Sequence, residues 1–227
     1  MTTQHIARTA RPAAADPPVR RRPGKRLFDL VVASLALLLL APLLVAVAIL
    51  IRATSPGPAL FRQTRLGREG RPFVLYKFRT MYTDCPDDIH RDYVRRLLSE
   101  DQPPTGGRTG LYKLDGDPRI TRIGALLRRT SIDELPQLVN VVRGDMSLVG
   151  PRPALAYEAE MFGPAHARRF LVAPGLTGLW QVSGRNTLTM RQGLVLDLEY
   201  VDRQSFAFDL KILLKTVPAV LTTSGAR

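Results

Sequence analysis

LVVASLALLLLAPLLVAVAILI, residues 30–51, decides how the rest of this 227-residue chain is arranged. The stretch runs for 22 residues without a charge and is broken near its centre by Pro42. At about 1.5 Å rise per residue it makes a helix of roughly 33 Å, against a hydrocarbon core of about 30 Å. The chain therefore works at a bilayer. A cleaved signal peptide also starts with basic residues, but its apolar region is usually about 7–15 residues, which fits this run less well.

The flanks constrain how the segment sits. Residues 1–26 carry seven Lys and Arg against Asp16, and residues 52–79 carry seven against Glu69. Positive flanks stay on the cytoplasmic side, so both ends ask for the same face. A straight span satisfies only one of them. A helix that enters, bends at Ala41-Pro42 and returns satisfies both, because proline removes a backbone donor and clashes with the preceding turn. A re-entrant helix is expected over a simple span, although ordinary transmembrane helices also tolerate proline.

Outside that segment, 45% hydrophobic content is enough for one sizeable core, so a single soluble domain is expected. A net charge of +13 calls for anionic partners, whether nucleic acid, lipid headgroups or phosphorylated small molecules. The membrane segment favours the last two. Nucleic acid is further disfavoured because there is no helix-turn-helix signal and no aromatics interleave with the basic residues at stacking spacing. The lone cysteine, Cys85, excludes an intrachain disulfide framework and a multi-cysteine metal site, and is expected to be a surface thiol.

The expected fold class is α+β, mostly helical. Residues 1–24 read as a disordered basic arm able to lie on anionic headgroups, residues 25–54 as the membrane helix, 55–220 as the catalytic unit and 221–227 as a tail. Ser55-Pro56-Gly57-Pro58 forces a turn. Residues 61–65 and 73–81, joined through Gly67-Arg68-Glu69-Gly70, suggest a β-hairpin. Helical spacing of apolar residues marks 88–98, 120–127, 132–142, roughly 154–170, and 206–220, with a Pro/Gly-rich loop at 102–110. In the last helix Lys211 and Lys215 border an apolar face that suits either the headgroup layer or packing on the core.

Chemistry concentrates in Arg128-Arg129-Thr130-Ser131-Ile132-Asp133-Glu134-Leu135-Pro136-Gln137. Ser131 and Glu134 have the spacing of a capping box. The same residues also suit reaction. Adjacent carboxylates at a helix start sit in a positive field that keeps Asp133 ionised, and with Arg128 nearby that place also attracts phosphate. Two acids side by side can hold Mg²⁺ together with substrate phosphates. An ionised aspartate is a competent nucleophile toward phosphorus.

Seven ordered blocks make the chain resemble the bacterial sugar transferases, the small monotopic phosphoglycosyl transferases. They are Lys25-Arg26-Leu27-Phe28-Asp29, Ser55-Pro56-Gly57-Pro58, Phe61-Arg62-Gln63, Tyr76-Lys77-Phe78-Arg79-Thr80-Met81, Ser131 through Gln137, Gly144 through Pro153, and Pro174 through Arg185. The resemblance covers about residues 25–217. It implies that Asp133 attacks the phosphate attached to the sugar of a UDP-sugar, that UMP leaves, and that undecaprenyl phosphate then takes the phosphosugar to start exopolysaccharide or other glycan assembly. Glu134 then either helps to bind Mg²⁺, with Asp133 as the other ligand, or handles a proton. The resemblance further implies an inner-membrane location with the catalytic unit on the cytoplasmic face. Oligomeric state is left open, a homodimer included. Larger relatives carry extra transmembrane helices, and by comparison this chain looks minimal. A serine often precedes the helix-breaking proline in small members, and Ala41 stands there instead.

Of the cations in or beside the motif blocks, Lys77, Arg79, Arg128 and Arg152 are expected around the diphosphate. Arg152, fixed between two prolines, has a planar fork suited to phosphate oxygens. Thr177, Gly178, Gln181 and Arg185 are assigned to the nucleotide sugar, with a structural turn as the alternative. Asp197 and Tyr200 are candidates to reach the substrate, or else ordinary helix residues. Trp180 is expected in the core in preference to base stacking. The rival from another class is a non-catalytic basic membrane tether binding anionic lipid or nucleic acid. It accounts for the charge and the apolar run but not for Asp133-Glu134 among arginines.

Overall fold

The structure, a computed structural model, describes residues 22–83, 117–184 and 188–221. The helix expected over 88–98, the loop at 102–110, Cys85, Arg185 and nearly all of the basic arm lie outside the described residues. Within them the protein is mostly helical with two small two-stranded sheets.

The apolar run forms one long helix, α1 (Pro23–Thr54), with proline at its first position, where a missing N–H costs nothing. It starts two residues earlier than expected and stays helical through Pro42. One helix here is long and apolar enough to cross a membrane. A stripe made of Asp29, Ala33, Val47, Ile51 and, half-buried, Leu37, Leu40 and Leu44 runs its whole length against the rest of the protein. The other faces expose Leu35, Leu39, Val45 and Ile49, with Leu38 73% exposed. Fully burying such a side chain gains about 1.5–3 kcal/mol, so water is the wrong solvent for that surface.

Both ends of α1 are fastened to the same body. Near its start, Arg26 donates to the carbonyls of Val141 (2.6 Å) and Val142 (2.7 Å), and Asp29 accepts from Ser147 Oγ (2.7 Å) and Leu148 N (3.2 Å). At its end, Ile51 packs with Phe78 and Leu127, and Ser55 accepts from Arg79.

The expected hairpin is present as β1 (Leu60–Leu66) and β2 (Pro72–Phe78), antiparallel, with Phe61 opposite Lys77 and Leu66 opposite Pro72. Helix α2 (Arg122–Thr130) follows, capped by Thr121 Oγ1 on Gly124 N. A β-carbon on Gly124 would lie 2.0 Å from Thr80 O, so only glycine lets α2 come this close to the end of β2. The helix expected over 132–142 is divided. A 3-10 turn spans Ile132–Glu134, and α3 (Gln137–Arg143) begins only after Pro136. Fully buried Asn140 on α3 accepts from Tyr76 N (3.1 Å) and donates to Val74 O (2.7 Å), pinning the free edge of β2.

The parallel pair β3 (Ser147–Val149) and β4 (Gly175–Thr177) was not foreseen from the sequence. Nor does one helix fill 154–170: α4 (Ala156–Phe162) stops at Gly163, whose φ of 72° favours glycine, and a 3-10 stretch runs over Pro164–Leu171. After α5 (Leu179–Val182), helix α6 (Met190–Arg203) buries Met190, Leu194 and Tyr200. Trp180 is in the core as expected, lying on Gly193. Finally α7 (Phe206–Leu221) packs Phe206 edge-on against Phe28 of α1 at 5.1 Å, while Leu210, Leu214 and Val217 stay exposed.

Candidate active site

The end of β2, the end of α2 and the 3-10 turn after it meet at one place. Ser131, the residue joining α2 to that turn, is in the left-handed region at φ 57°. This conformation is uncommon for a residue with a side chain and clusters at functional sites. Ser131 is therefore the C-cap of α2 and makes no side-chain cap, so the capping box with Glu134 does not form. Nor do the carboxylates begin a long helix: they occupy a three-residue turn. The helix end that matters is the C-terminus of α2, where Arg128 suits the negative pole.

Reversal at Ser131 sets Asp133, only 9% exposed, beside Arg128. Arg128 Nε donates to Thr80 Oγ1 at 2.9 Å, which fixes the guanidinium. Burial lowers the Arg128 pKa from its usual value, and the charges of Asp133 and Asp117 oppose that shift. Asp117 is itself gripped by Arg119 at 2.7–3.1 Å, a hydrogen bond that holds its carboxyl below the ordinary range. Next to Asp133, Glu134 Oε1 is 2.8 Å from Lys77 Nζ.

Asp133, Glu134, Arg128 and Lys77 thus stand together. Thr80, Asp117 and Arg119 join them without having been singled out. Thr80 lies inside a quoted motif, but nothing in its residue type marks it as a guanidinium acceptor.

The other expected site residues lie elsewhere. Arg79 is buried and spent on the backbone, donating to Ser55 O (2.8 Å), Ser55 Oγ (3.0 Å) and Pro56 O. It ties β2 to the end of α1 in place of facing a diphosphate. Arg152 leans toward Glu158 at 4.0 Å. Thr177 is buried with its hydroxyl 2.8 Å from that of Thr216. Gly178 is packed on Gly150, whose carbonyl oxygen would be 2.2 Å from a β-carbon there, so its glycine serves the close approach of two backbones. Gln181 is half-buried. Asp197 is buried against Arg169 at 2.6 Å, and burial raises its pKa despite that partner. Tyr200 donates to Val149 O (2.9 Å) and Asp209 Oδ1 (2.8 Å) from the core, and burial raises its pKa so that it stays a donor. Asp197 and Tyr200 are ordinary interior residues of α6.

Among the described residues no group of three or more His, Cys, Asp or Glu stands together as a metal site. Asp133 and Glu134 stand side by side on the 3-10 turn, with Glu134 paired to Lys77 at 2.8 Å.

A family model described as bacterial sugar transferase matches residues 20–223. The chain belongs to that family. It is a transferase enzyme, and its relatives sharpen the comparison. The "UDP-glucose:undecaprenyl-phosphate glucose-1-phosphate transferase" of Caulobacter vibrioides is 44% identical over 96% of this chain and 77% of its own. "Exopolysaccharide production protein ExoY" of Rhizobium meliloti is 41% identical over 89% of this chain and 88% of its own. For "Undecaprenyl-phosphate galactose phosphotransferase" of Salmonella typhimurium the figures are 39% and 89%, but this sugar transferase spans only 41% of that longer protein.

Proposed function

We propose that this sugar transferase moves a sugar 1-phosphate from a UDP-sugar to undecaprenyl phosphate, with Asp133 as the nucleophile. The observation that carries the reading is the pairing of Asp133 with Arg128 at the strained Ser131 turn, with the Lys77–Glu134 ion pair alongside. The carboxylate oxygen of Asp133 bonds to the phosphorus attached to the sugar. The bond from that phosphorus to the bridging oxygen breaks, and UMP leaves with the oxygen. An oxygen of the lipid phosphate then bonds to the same phosphorus, the aspartyl–phosphorus bond breaks, and the carboxylate is restored with polyprenyl diphosphate sugar as product. No net proton transfer is needed.

Arg128 and Lys77 lower the cost of charge gathering on the non-bridging oxygens. Asp133 and Glu134 would hold Mg²⁺. Bound there, it would neutralise diphosphate charge.

Support for a re-entrant α1 comes from its attachments: a straight crossing would part its two ends by about 30 Å of hydrocarbon, yet Arg26 and Ser55 both fasten to the same catalytic unit. With its apolar α7 face, that unit would rest at the headgroup plane on the cytoplasmic side, where the lipid phosphate lies. Purified full-length protein in nanodiscs tests the reaction. UMP release should be catalytic with a UDP-sugar and undecaprenyl phosphate and should fall to about one equivalent per enzyme without the lipid. Release from no UDP-sugar in a donor screen would contradict it.

A further inference from the structure

Exposed arginines gather on the outer face of the hairpin, beside the point where α1 begins its apolar run. Arg143, the last residue of α3, donates from Nη1 to the Tyr76 hydroxyl at 2.7 Å, and its guanidinium carbon is 5.2 Å from the centre of that ring. Arg62, opposite Tyr76 in the strand register, brings its guanidinium carbon to 5.9 Å from the same ring. Val74, two residues from Tyr76 and so on the same strand face, is 43% exposed beside them.

The charge of this pair is uncompensated. Arg71 has Glu69 at 2.9 Å and Arg168 has Asp202 at 2.6 Å, but among the described residues neither Arg62 nor Arg143 meets a carboxylate. The acid nearest Arg143 in sequence, Asp145, accepts from Asn140 Nδ2 at 3.3 Å. Cation–π attraction at an exposed ring is weak, and two guanidiniums drawn to one tyrosine repel each other. An anion between them removes that repulsion, and planar guanidinium forks fit phosphate oxygens.

Position selects the source of the phosphate. Arg26, the last basic residue before the apolar run, grips the Val141 and Val142 carbonyls directly ahead of Arg143. Leu27, the next residue, is 62% exposed, and Val31 is 55% exposed one turn further on. The other end of α1 is fastened through Ser55 to Arg79, three residues beyond Tyr76 on β2 and so about 10 Å away along the strand. Tyr76 therefore lies between the two points at which α1 is tied to the catalytic unit, and aromatic residues favour that interfacial level. Adjacent strand residues face opposite sides, so Tyr76 is turned away from the Lys77–Glu134 pair.

We propose that Arg62, Arg143 and Tyr76 form a docking site for the phosphate of an anionic phospholipid, which sets the height of the hairpin at the membrane surface. The proposal rests on the re-entrant seat of α1 argued above. The lipid is a structural partner here and not a substrate.

Purified full-length protein in neutral detergent is titrated with short-chain phosphatidylglycerol and followed by its thermal midpoint. The midpoint should rise saturably, and phosphatidylcholine of the same chain length or glycerol 1-phosphate should leave it unchanged. Arg62→Gln and Arg143→Gln should each raise the half-saturating concentration about fivefold, the worth of one cation at an anionic surface. Arg71→Gln removes the same charge five residues from Tyr76 and should not raise it. Both test arginines are exposed, and either variant carries the test if the other misfolds. No rise in wild type, an equal rise with glycerol 1-phosphate or phosphatidylcholine, wild-type titration in both folded variants, or an equal loss in Arg71→Gln overturns the proposal. The titration needs no bilayer, whereas the re-entrant seat is read by labelling in sealed vesicles, so the two fail separately.

Discussion

Lys77 and Glu134 show how a site residue gains meaning from its partner. Lys77→Met leaves Glu134 without its cation and removes one charge from the phosphate region. Losing one such stabilising group costs about 10²–10³ in turnover, so kcat for UMP release should fall by that factor with folding intact by circular dichroism. Glu158 makes a different prediction. Burial pushes its carboxyl up, but Arg65, Arg152 and the Leu155 amide outweigh that, and its pKa falls below the ordinary 4.5. A depressed carboxyl contributes stability that is complete above its unfolded pKa and is lost as pH falls through the folded one. The gap in thermal midpoint between wild type and Glu158→Gln should therefore be widest near pH 7 and shrink as pH drops below 4.5. A gap constant from pH 7 to pH 3 would contradict the assignment. Residue types told which side chains could bear charge, but not where they point. Arg79 and Arg128 look alike in sequence, yet one meets carbonyls and the other a carboxylate.

At the scale of elements, the turn bearing Asp133 depends on how β2 and α3 are joined. Asn140 is that joint, and Asn140→Ala should cost about 1–3 kcal/mol by stranding Val74 O and Tyr76 N, measured as a lower midpoint in thermal unfolding. Turnover should fall with it, since Lys77 is carried on β2. Gly124→Ala should fail more severely, because its β-carbon meets the Thr80 backbone at 2.0 Å. Strand alternation and turn residues made the hairpin legible, and sheer length and lack of charge did the same for α1. Three-residue β3 and β4 were not legible, since pairing so short is decided by contacts far apart in the chain. The capping-box reading failed because Ser131 adopts φ 57° as the C-cap of α2, a conformation that no local pattern announces.

For the whole molecule, the decisive question is how a helix long enough to cross a bilayer serves an enzyme at its surface. Single cysteines at Gly24 and Thr54, in a Cys85→Ser background in sealed inverted vesicles, should both react with an impermeant maleimide. Protection of one and labelling of the other would mean a span. Charge symmetry at the two flanks of α1 predicts the first outcome. The exposed apolar surface of α1 was legible because solvent preference is a property of composition. The chemistry rests finally on Asp133. Full-length protein quenched after brief exposure to its UDP-sugar without lipid, then digested and sequenced by mass spectrometry, should carry a sugar phosphate on Asp133. The mass should disappear when undecaprenyl phosphate is added. Turnover with lipid but no adduct at any time, or an adduct on another residue, would contradict the account.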